Sequence, residues 1–506
     1  MPLASDFPSR ITIIGGGASG SLLAVQLLRQ ATRPLTIYLI DRSPQVGLGI
    51  AYSTQVPCHL LNVPAGYMSA FPDDPTHFLR WVNQQDLTRS LLPDGVQPET
   101  YVPRLLFGAY LQAVLNEAEA QAKFGVSLER VNDEAIAIQP HTTGATVHLH
   151  SGRSLNAQKV ILALGTASPS HPSIQTPDFY NSDPYVASGW STDALRGISP
   201  EQPILLVGAG LTMIDQALIL REQGHHGKIH VISRHGLLPQ ASLPPAGTTL
   251  SQGDRFKFNP AAVQPKTTRK LLRFVREQIK AASAQTLAWQ VVIDAMRPVT
   301  ETLWQSLSVS EQQRFLRHVR PYWDIHRHRI APEVAEAINE LLQSGQMIVY
   351  AGRIQSYHEH DGRVEVVFRE RHTAKNTVLQ VSRVVNCTGP STNYRILSHP
   401  LIMSLRSQGL LCPDPLALGI QTDTHAALLT HEGKPSDFLY ALGPPLRGRL
   451  WETIAIPEIR IQAQKLAQEL VPDSEAEAIQ LRASGLHSVR VNTPTHSVIT
   501  LGDSHG

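Results

Sequence analysis

Three glycines and one acid carry the clearest chemistry in this sequence. Gly15, Gly17 and Gly20 stand in the spacing G-x-G-x-x-G inside RITIIGGGASGSLLAVQLLRQATRPLTIYLID, Arg10 to Asp41. The first glycine permits a tight turn, the second lets backbone approach a pyrophosphate, and the third lets a helix lie close to a strand. A helix starting there turns free N–H groups and the positive end of its dipole toward phosphate. Asp41 follows about 20 residues later, where a carboxylate can accept from a ribose hydroxyl. Ser19 and Arg42 flank these positions and are counted with the same dinucleotide site.

A second set begins at Gly208. Gly208 and Gly210 open GAGLTMID, with Thr212 beside them and Met213 in place of the third small residue. This turn reads either as a second nucleotide cradle or as a packing turn. Ser233-Arg234-His235 then stands where the ribose acid would be. An arginine there suits a 2′-phosphate, so NADPH is expected over NADH. Gly165 and Gly389 end two further strands, where a missing side chain lets backbone approach a cofactor. FLYALGPPLRGRLWETIAIPEIR reads as a strand, a turn at Gly443 and a helix from about Ile454, so Gly443, Thr453 and Ile454 join the cofactor candidates. RPYWDIHRHR, Arg320 to Arg329, holds Asp324, His326 and His328, the catalytic candidates. Asp324 and His328 share a helix face. The cluster reads equally as acid–base machinery with an arginine clamp or as a salt-bridged helix end.

The elements that position these residues recur. Ile11–Ile14, the helical Ser21–Gln30 and the strand Leu35–Ile40 are matched by Ile204–Val207, LTMIDQALILREQG and Lys228–Ser233. Val126–Ile138 with Ala145–Leu149 predicts a β-meander, as do Met347–Ile354, Arg363–Arg369 and Leu379–Ser382. Each is followed by a strand, Lys159–Leu164 or Arg383–Cys387. This duplication predicts two βαβ nucleotide-binding modules. The expected plan has a first domain over 1–197, a second over 198–390 with a helical insertion at about 265–344, a return to the first over 391–470, and a mobile tail over 471–506. The fold class is α/β: two Rossmann-like dinucleotide-binding domains with a helical insertion, in a three-layer ββα arrangement like that of glutathione reductase.

Bulk properties exclude other classes. The 506 residues carry 44 basic and 42 acidic side chains, a net charge of +2, which argues against nucleic acid or an anionic membrane as the main partner. The 22 histidines show no ligand spacing, so no metal is expected. Cys58, Cys387 and Cys412 form no C-x-x-C, so no dithiol redox pair is expected. The first residues carry no apolar signal core, and the expectation is a cytoplasmic protein. The oligomeric state is left open.

Several of these stretches resemble a known family: FAD/NAD(P)-binding proteins that include a bacterial FAD-dependent urate hydroxylase and an L-aspartate N-monooxygenase. The resemblance rests on IIGGGASG, GLGIAYST, HLLNVPAGYMSAFPDDPTHFLRWV, YVPRLLFGAYL, GAGLTMID, RPYWDIHRHRIAPEVA, VVNCTGP and ALGPPLRGRLWETIAIPEIR. It implies FAD at Gly15, Gly17, Gly20 and Asp41, and NAD(P)H at the second module. It also implies that the GLGIAYST and HLLNVPAG segments lie along the flavin, with His59 and Asn62 as the polar candidates there. The activity implied is a monooxygenase acting through a flavin C4a-hydroperoxide on a small nitrogen-containing substrate, with O2 as co-substrate. A flavin reductase or dehydrogenase without oxygen insertion, and a non-catalytic nucleotide-binding protein, are the alternatives.

Overall fold

The computed structural model describes residues 8–191, 193–243 and 266–472. The stretch read as a tail, 471–506, lies outside the described residues except for Val471 and Pro472.

Two parallel sheets form the framework. The first runs in the order Ala427–Leu429, Pro435–Ala441, Lys159–Leu162, Ser9–Ile14, Leu35–Asp41, Val126–Asn132. Its central strands are continuous apolar runs because both faces are covered. On one face lie the helices Ala18–Gln30, Arg104–Ala120 and Ile456–Leu470. Leu22, Leu23, Leu27 and Leu28 are almost wholly buried there, each contributing about 1.5–3 kcal/mol. On the other face lies a three-stranded antiparallel sheet, Ala135–His141, Gly144–Leu149 and Ser154–Ala157. The expected meander over Val126–Ile138 therefore divides. Val126–Asn132 pairs in parallel with Leu35–Asp41, and only the part after Asp133 enters the antiparallel layer.

The second sheet runs Asn376–Val381, Arg363–Glu370, Met347–His360, Ile229–Ser233, Ile204–Val207, Arg383–Asn386, Tyr185–Val186. Met347–His360 serves both halves: its first part pairs in parallel with Ile229–Ser233, its second antiparallel with Arg363–Glu370. Leu211–Glu222 and Pro332–Gln343 pack on this sheet through Met213, Ala217, Val334 and Ile338. So the last helix of the stretch read as an insertion belongs to the second module's own core. The helices between Thr268 and Arg327 form a separate group, with prolines in the first turn at Pro298 and Pro321, where a missing N–H costs nothing. No described helix is long and apolar enough to cross a membrane.

Candidate functional site

The two modules repeat one turn in atomic detail. Gly15 has φ of +107° and Gly208 of +106°, values that only glycine adopts without strain. The Gly15 N–H donates to Ile40 O at 2.9 Å, and the Gly208 N–H to Ile232 O at 2.8 Å. A Cβ on Gly15 would lie 2.3 Å from Ala163 O, and one on Gly208 would lie 2.5 Å from Cys387 O. Each turn is thus pressed against the strand that ends, two residues later, at Gly165 or Gly389. Those two glycines have φ of +60° and +86°, with open space where a side chain would be.

The modules differ at the third glycine. A Cβ on Gly20 would lie 1.9 Å from Gly15 O, so the first helix is seated directly on its turn. Met213 holds the corresponding place in the second module and is fully buried in its core, so that close contact is not repeated.

Both helices open on a glycine N-cap, Gly17 or Gly210, with no side-chain cap and no acid in the first turn. Their first N–H groups lack an internal acceptor. A Cβ on Gly210 would meet nothing within 4 Å. A Cβ on Gly17 would lie 3.3 Å from Gly49 Cα, so the first turn is the more closely covered of the two. Ser19 and Thr212 are buried beside them. Asp41 accepts from Gly16 N at 2.7 Å and Ser43 N at 2.8 Å, so the acid also braces the turn. Arg42 is exposed, 3.9 Å from Glu134. Gly443 closes the first cradle from the far end of the chain: a Cβ there would lie 2.6 Å from Ser19 Oγ. The buried Thr453 hydroxyl donates to Gly443 O at 2.8 Å. Ile454 is 40% exposed, and the last helix starts just beyond it.

At the end of the Ile229–Ser233 strand, Ser233 Oγ accepts from Gly236 N at 2.9 Å. Arg234 is exposed, and Arg371 donates to its carbonyl at 3.3 Å. Burial pushes the pKa of the neighbouring His235 down, and Arg371, Arg234 and Arg353 push it further. The Arg371 side chain therefore meets the Arg234 backbone at this corner, and the charges of Arg234 and Arg353 are felt there. Sequence reasoning found only Arg234. The others arrive through the pairing of Ile229–Ser233 with Met347–His360 and of that strand with Arg363–Glu370.

A buried seam joins the modules. Arg104, at the start of Arg104–Ala120, meets Asp215 on the Leu211–Glu222 helix through two hydrogen bonds of 2.7 and 3.1 Å. The side chains are 11% and 8% exposed. Arg104 Nε also donates to Leu60 O at 3.0 Å. His59 lies within this seam, with Nδ1 2.7 Å from Thr54 Oγ1 and Nε2 3.3 Å from Asp215 O. Burial lowers its pKa. Asn62 lines a narrow gap here with Leu60, Arg104, Leu211 and Asp215. The two strands of chain crossing between modules run side by side, bridged between Ala167 and Ser391.

Residues 12–167 match a family model described as FAD-NAD(P)-binding. They form an FAD/NAD(P)-binding domain. A curated relative, nitrosuccinic acid synthase from Aspergillus oryzae, is 24% identical over 236 residues, or 42% of this chain. The chain spans about a third of that relative's length, 35%. Among solved structures, ornithine hydroxylase from Pseudomonas aeruginosa aligns at TM-score 0.62 and 14% identity, over 92% of this chain and 99% of that one. The ornithine N-hydroxylase from Kutzneria sp. 744 aligns at 0.60 and 14%, over 94% and 100%. L-lysine 6-monooxygenase from Pseudomonas syringae aligns at 0.57 and 15%, over 92% and 99%. At these identities the shared feature is the fold: an α/β plan with two largely parallel sheets.

The helical group docks on the segment that returns to the FAD/NAD(P)-binding domain's sheet. Trp304 Nε1 donates to Gly448 O at 2.8 Å, and its ring stacks on Trp451 at 4.7 Å. Arg297 pairs with Glu458 along one guanidinium edge, Nε and one Nη each donating to a carboxylate oxygen. Arg327 lies 3.3 Å from Glu452 and 3.6 Å from Glu458. Asp324 sits 3.3 Å from Arg320 and 3.9 Å from His328. His328 is pushed down to about 4 by burial, with Arg327, Arg447 and Arg320 adding and Asp324 opposing. His326 faces the other way, Nδ1 2.7 Å from Tyr322 O and the ring edge-on to Trp289. The three residues grouped by sequence are thus split. Asp324 and His328 share a polar cluster with Arg320, and His326 does not join it. Among the described residues no three His, Cys, Asp or Glu side chains converge as a metal set.

Proposed function

We propose that this chain is an FAD-dependent, NADPH-consuming monooxygenase acting on a small nitrogen-containing substrate with O2. FAD takes the Gly15 cradle and NADPH the Gly208 cradle. The supporting observation is the pair of matching cradles fastened to each other by Arg104 and Asp215, since a fixed pair of dinucleotide sites serves hydride transfer between two cofactors. The division at 1–197, 198–390 and 391–470 belongs to the same reading, with Pro332–Gln343 assigned to the NADPH part. The ornithine N-hydroxylase and lysine 6-monooxygenase neighbours are by name oxygenases of amine-bearing substrates, which supports oxygen transfer over simple reduction.

Bound and reduced flavin supplies the activation of O2. The protein's own groups do the rest. The first-turn N–H groups after Gly17 and Gly210 hold the pyrophosphates. Asp41 accepts from a ribose hydroxyl. Arg234, Arg353 and Arg371 hold the 2′-phosphate of NADPH. Trp304, Trp451 and the helices before Arg327 shield the substrate side from water. His328, held neutral, offers a lone pair to a substrate amine N–H, with Asp324 beside it as the second acceptor.

The test is NADPH oxidation by the FAD-loaded protein across amines, amino acids and purines, with peroxide measured in parallel. Stimulated NADPH oxidation with low peroxide and an oxygenated nitrogen product is expected for one class. Fast NADPH oxidation passed to electron acceptors with no oxygenated product would replace this reading by a reductase.

A further inference from the structure

We propose that the basic face of the helix Thr268–Ser283 docks a second copy of this chain, seating on the acidic face of that copy's Pro332–Gln343 helix. None of the side chains involved is assigned above to cofactor or substrate, so the contact stands apart from the monooxygenase reading.

Charge is divided unevenly along the chain. Residues 266–329 hold 12 Lys and Arg against 5 Asp and Glu, a net +7, while the whole chain carries +2. The other residues, 32 basic and 37 acidic, therefore carry −5. On Thr268–Ser283 the surplus is lined up. Arg269, Arg273, Arg276 and Lys280 recur every three or four residues, so they share one helix face. All four are exposed, and none forms an ion pair among the described residues. With Leu272 and Glu277 they line a groove of about 380 Å³. The opposite face is used inside the protein, where Leu271, Val275, Ile279 and the fully buried Ala282 pack into apolar clusters. The helix therefore has no free apolar face to sink into a bilayer.

The same chain carries the complement. Pro332–Gln343 exposes Glu333, Glu336 and Glu340, while Val334, Ala337, Ile338 and Leu341 are buried. Glu333 and Glu336 have no ion-pair partner among the described residues. Glu340 meets Arg221 at 2.8 Å and is still 65% exposed. The spacings match when the two helices lie antiparallel. Forward from Arg269 the next arginines fall at offsets of four and seven; backward from Glu340 the other glutamates fall at the same offsets. Arg269, Arg273 and Arg276 then face Glu340, Glu336 and Glu333 of the second copy. In this register Glu277, the one acid lining the groove, falls opposite Pro332 at the helix's N-terminal end, where the dipole favours a negative charge. A phosphate-covered surface would instead repel Glu277, and the −5 of the remaining chain would oppose any polyanion. Each copy carries both faces, so two such contacts close a dimer.

A charge swap on the FAD-loaded full chain tests this. One variant carries Arg273→Glu with Arg276→Glu, the other Glu333→Lys with Glu336→Lys. Sedimentation velocity and Tm are measured for the wild type, each variant alone, their equimolar mixture, and a chain with all four changes. The wild type is expected to be a dimer at low salt, with a Kd at least about tenfold higher in about 0.5 M NaCl. Each variant alone is expected to keep its Tm and to be monomeric. The mixture is expected to associate, since each variant supplies the charge the other has lost, and the fourfold variant is expected to dimerise again. A wild type that is monomeric at low salt overturns the proposal, as does a variant that still dimerises alone or a mixture of folded variants that stays monomeric. If either variant loses Tm, the fourfold variant decides: a dimer supports the contact and a folded monomer overturns it. A monomeric wild type that binds phosphatidylserine vesicles or RNA through these arginines would assign the face to a polyanion instead.

Discussion

Arg104 and Asp215, 111 residues apart in sequence, meet in a two-pronged, nearly buried ion pair, with contacts of 2.7 and 3.1 Å, that ties one nucleotide module to the other. Arg104 stands on the first module and Asp215 on the second module's Gly210-capped helix. The pair therefore sets where one cradle lies relative to the other.

Breaking that pair from one side leaves a buried charge without a partner. Asp215→Asn is expected to cost about 3–5 kcal/mol in urea unfolding. Replacing both partners with apolar residues, Arg104→Met with Asp215→Leu, should recover most of that stability. The double variant should still retain FAD, yet its flavin should be reduced by NADPH at least about tenfold more slowly, a misplacement effect, while dithionite reduces it as before. Equal NADPH rates in wild type and double variant would show that the pair only holds the fold.

Gly210→Ala tests the second cradle without disturbing its packing. The backbone there has φ of −93°, and the added Cβ meets nothing within 4 Å. The variant should fold and bind FAD normally, and its KM for NADPH should rise about tenfold because the methyl occupies the path of the pyrophosphate. An unchanged KM would make the Gly208 turn a packing feature. Gly20→Ala is the contrasting case. Its Cβ would strike Gly15 O at 1.9 Å, and the purified protein should be colourless.

The arginine corner predicts cofactor choice. Arg234→Ala and Arg371→Ala should each lower kcat/KM for NADPH about tenfold or more, the worth of one charge-assisted contact. NADH kinetics should barely change. Equal losses with both nucleotides would place these residues away from the 2′-phosphate.

His328 gives the fold a pH dependence of known sign. Its folded pKa of about 4 lies below the unfolded value of about 6.5, so the unfolded chain binds the extra proton. The contribution is complete above about pH 6.5 and disappears as the pH falls toward about 4, a loss on the order of 3 kcal/mol. Between pH 7 and 4.5, Tm should fall less in His328→Gln than in wild type. Parallel Tm curves would contradict the assigned burial.

The first cradle was legible because its determinants are local. Gly15, Gly17, Gly20 and Asp41 lie within one strand–helix–strand unit, and apolar runs mark its edges. The duplication at Gly208 was legible for the same reason. What escaped is made by distant pairing. Arg353 and Arg371 join Arg234 only through the register of Met347–His360 with its two neighbours. Asp215 sits in an ordinary helical run, and nothing near it signals Arg104. Val126–Asn132 alternates like a meander strand, but its place at the edge of the parallel sheet is set by Leu35–Asp41. Asp324, His326 and His328 were grouped by proximity in sequence, and where the helix ends at Arg327, His328 stays beside Asp324 while His326 lies against Trp289.

The central claim is that a nicotinamide in one cradle meets a flavin in the other. Its most direct test is anaerobic mixing of the FAD-loaded protein with NADPH while the flavin's visible absorption is followed. The account predicts that the absorption bleaches in a single turnover, faster with NADPH than with NADH. A flavin that stays oxidised under saturating NADPH, while dithionite bleaches it readily, would contradict the account.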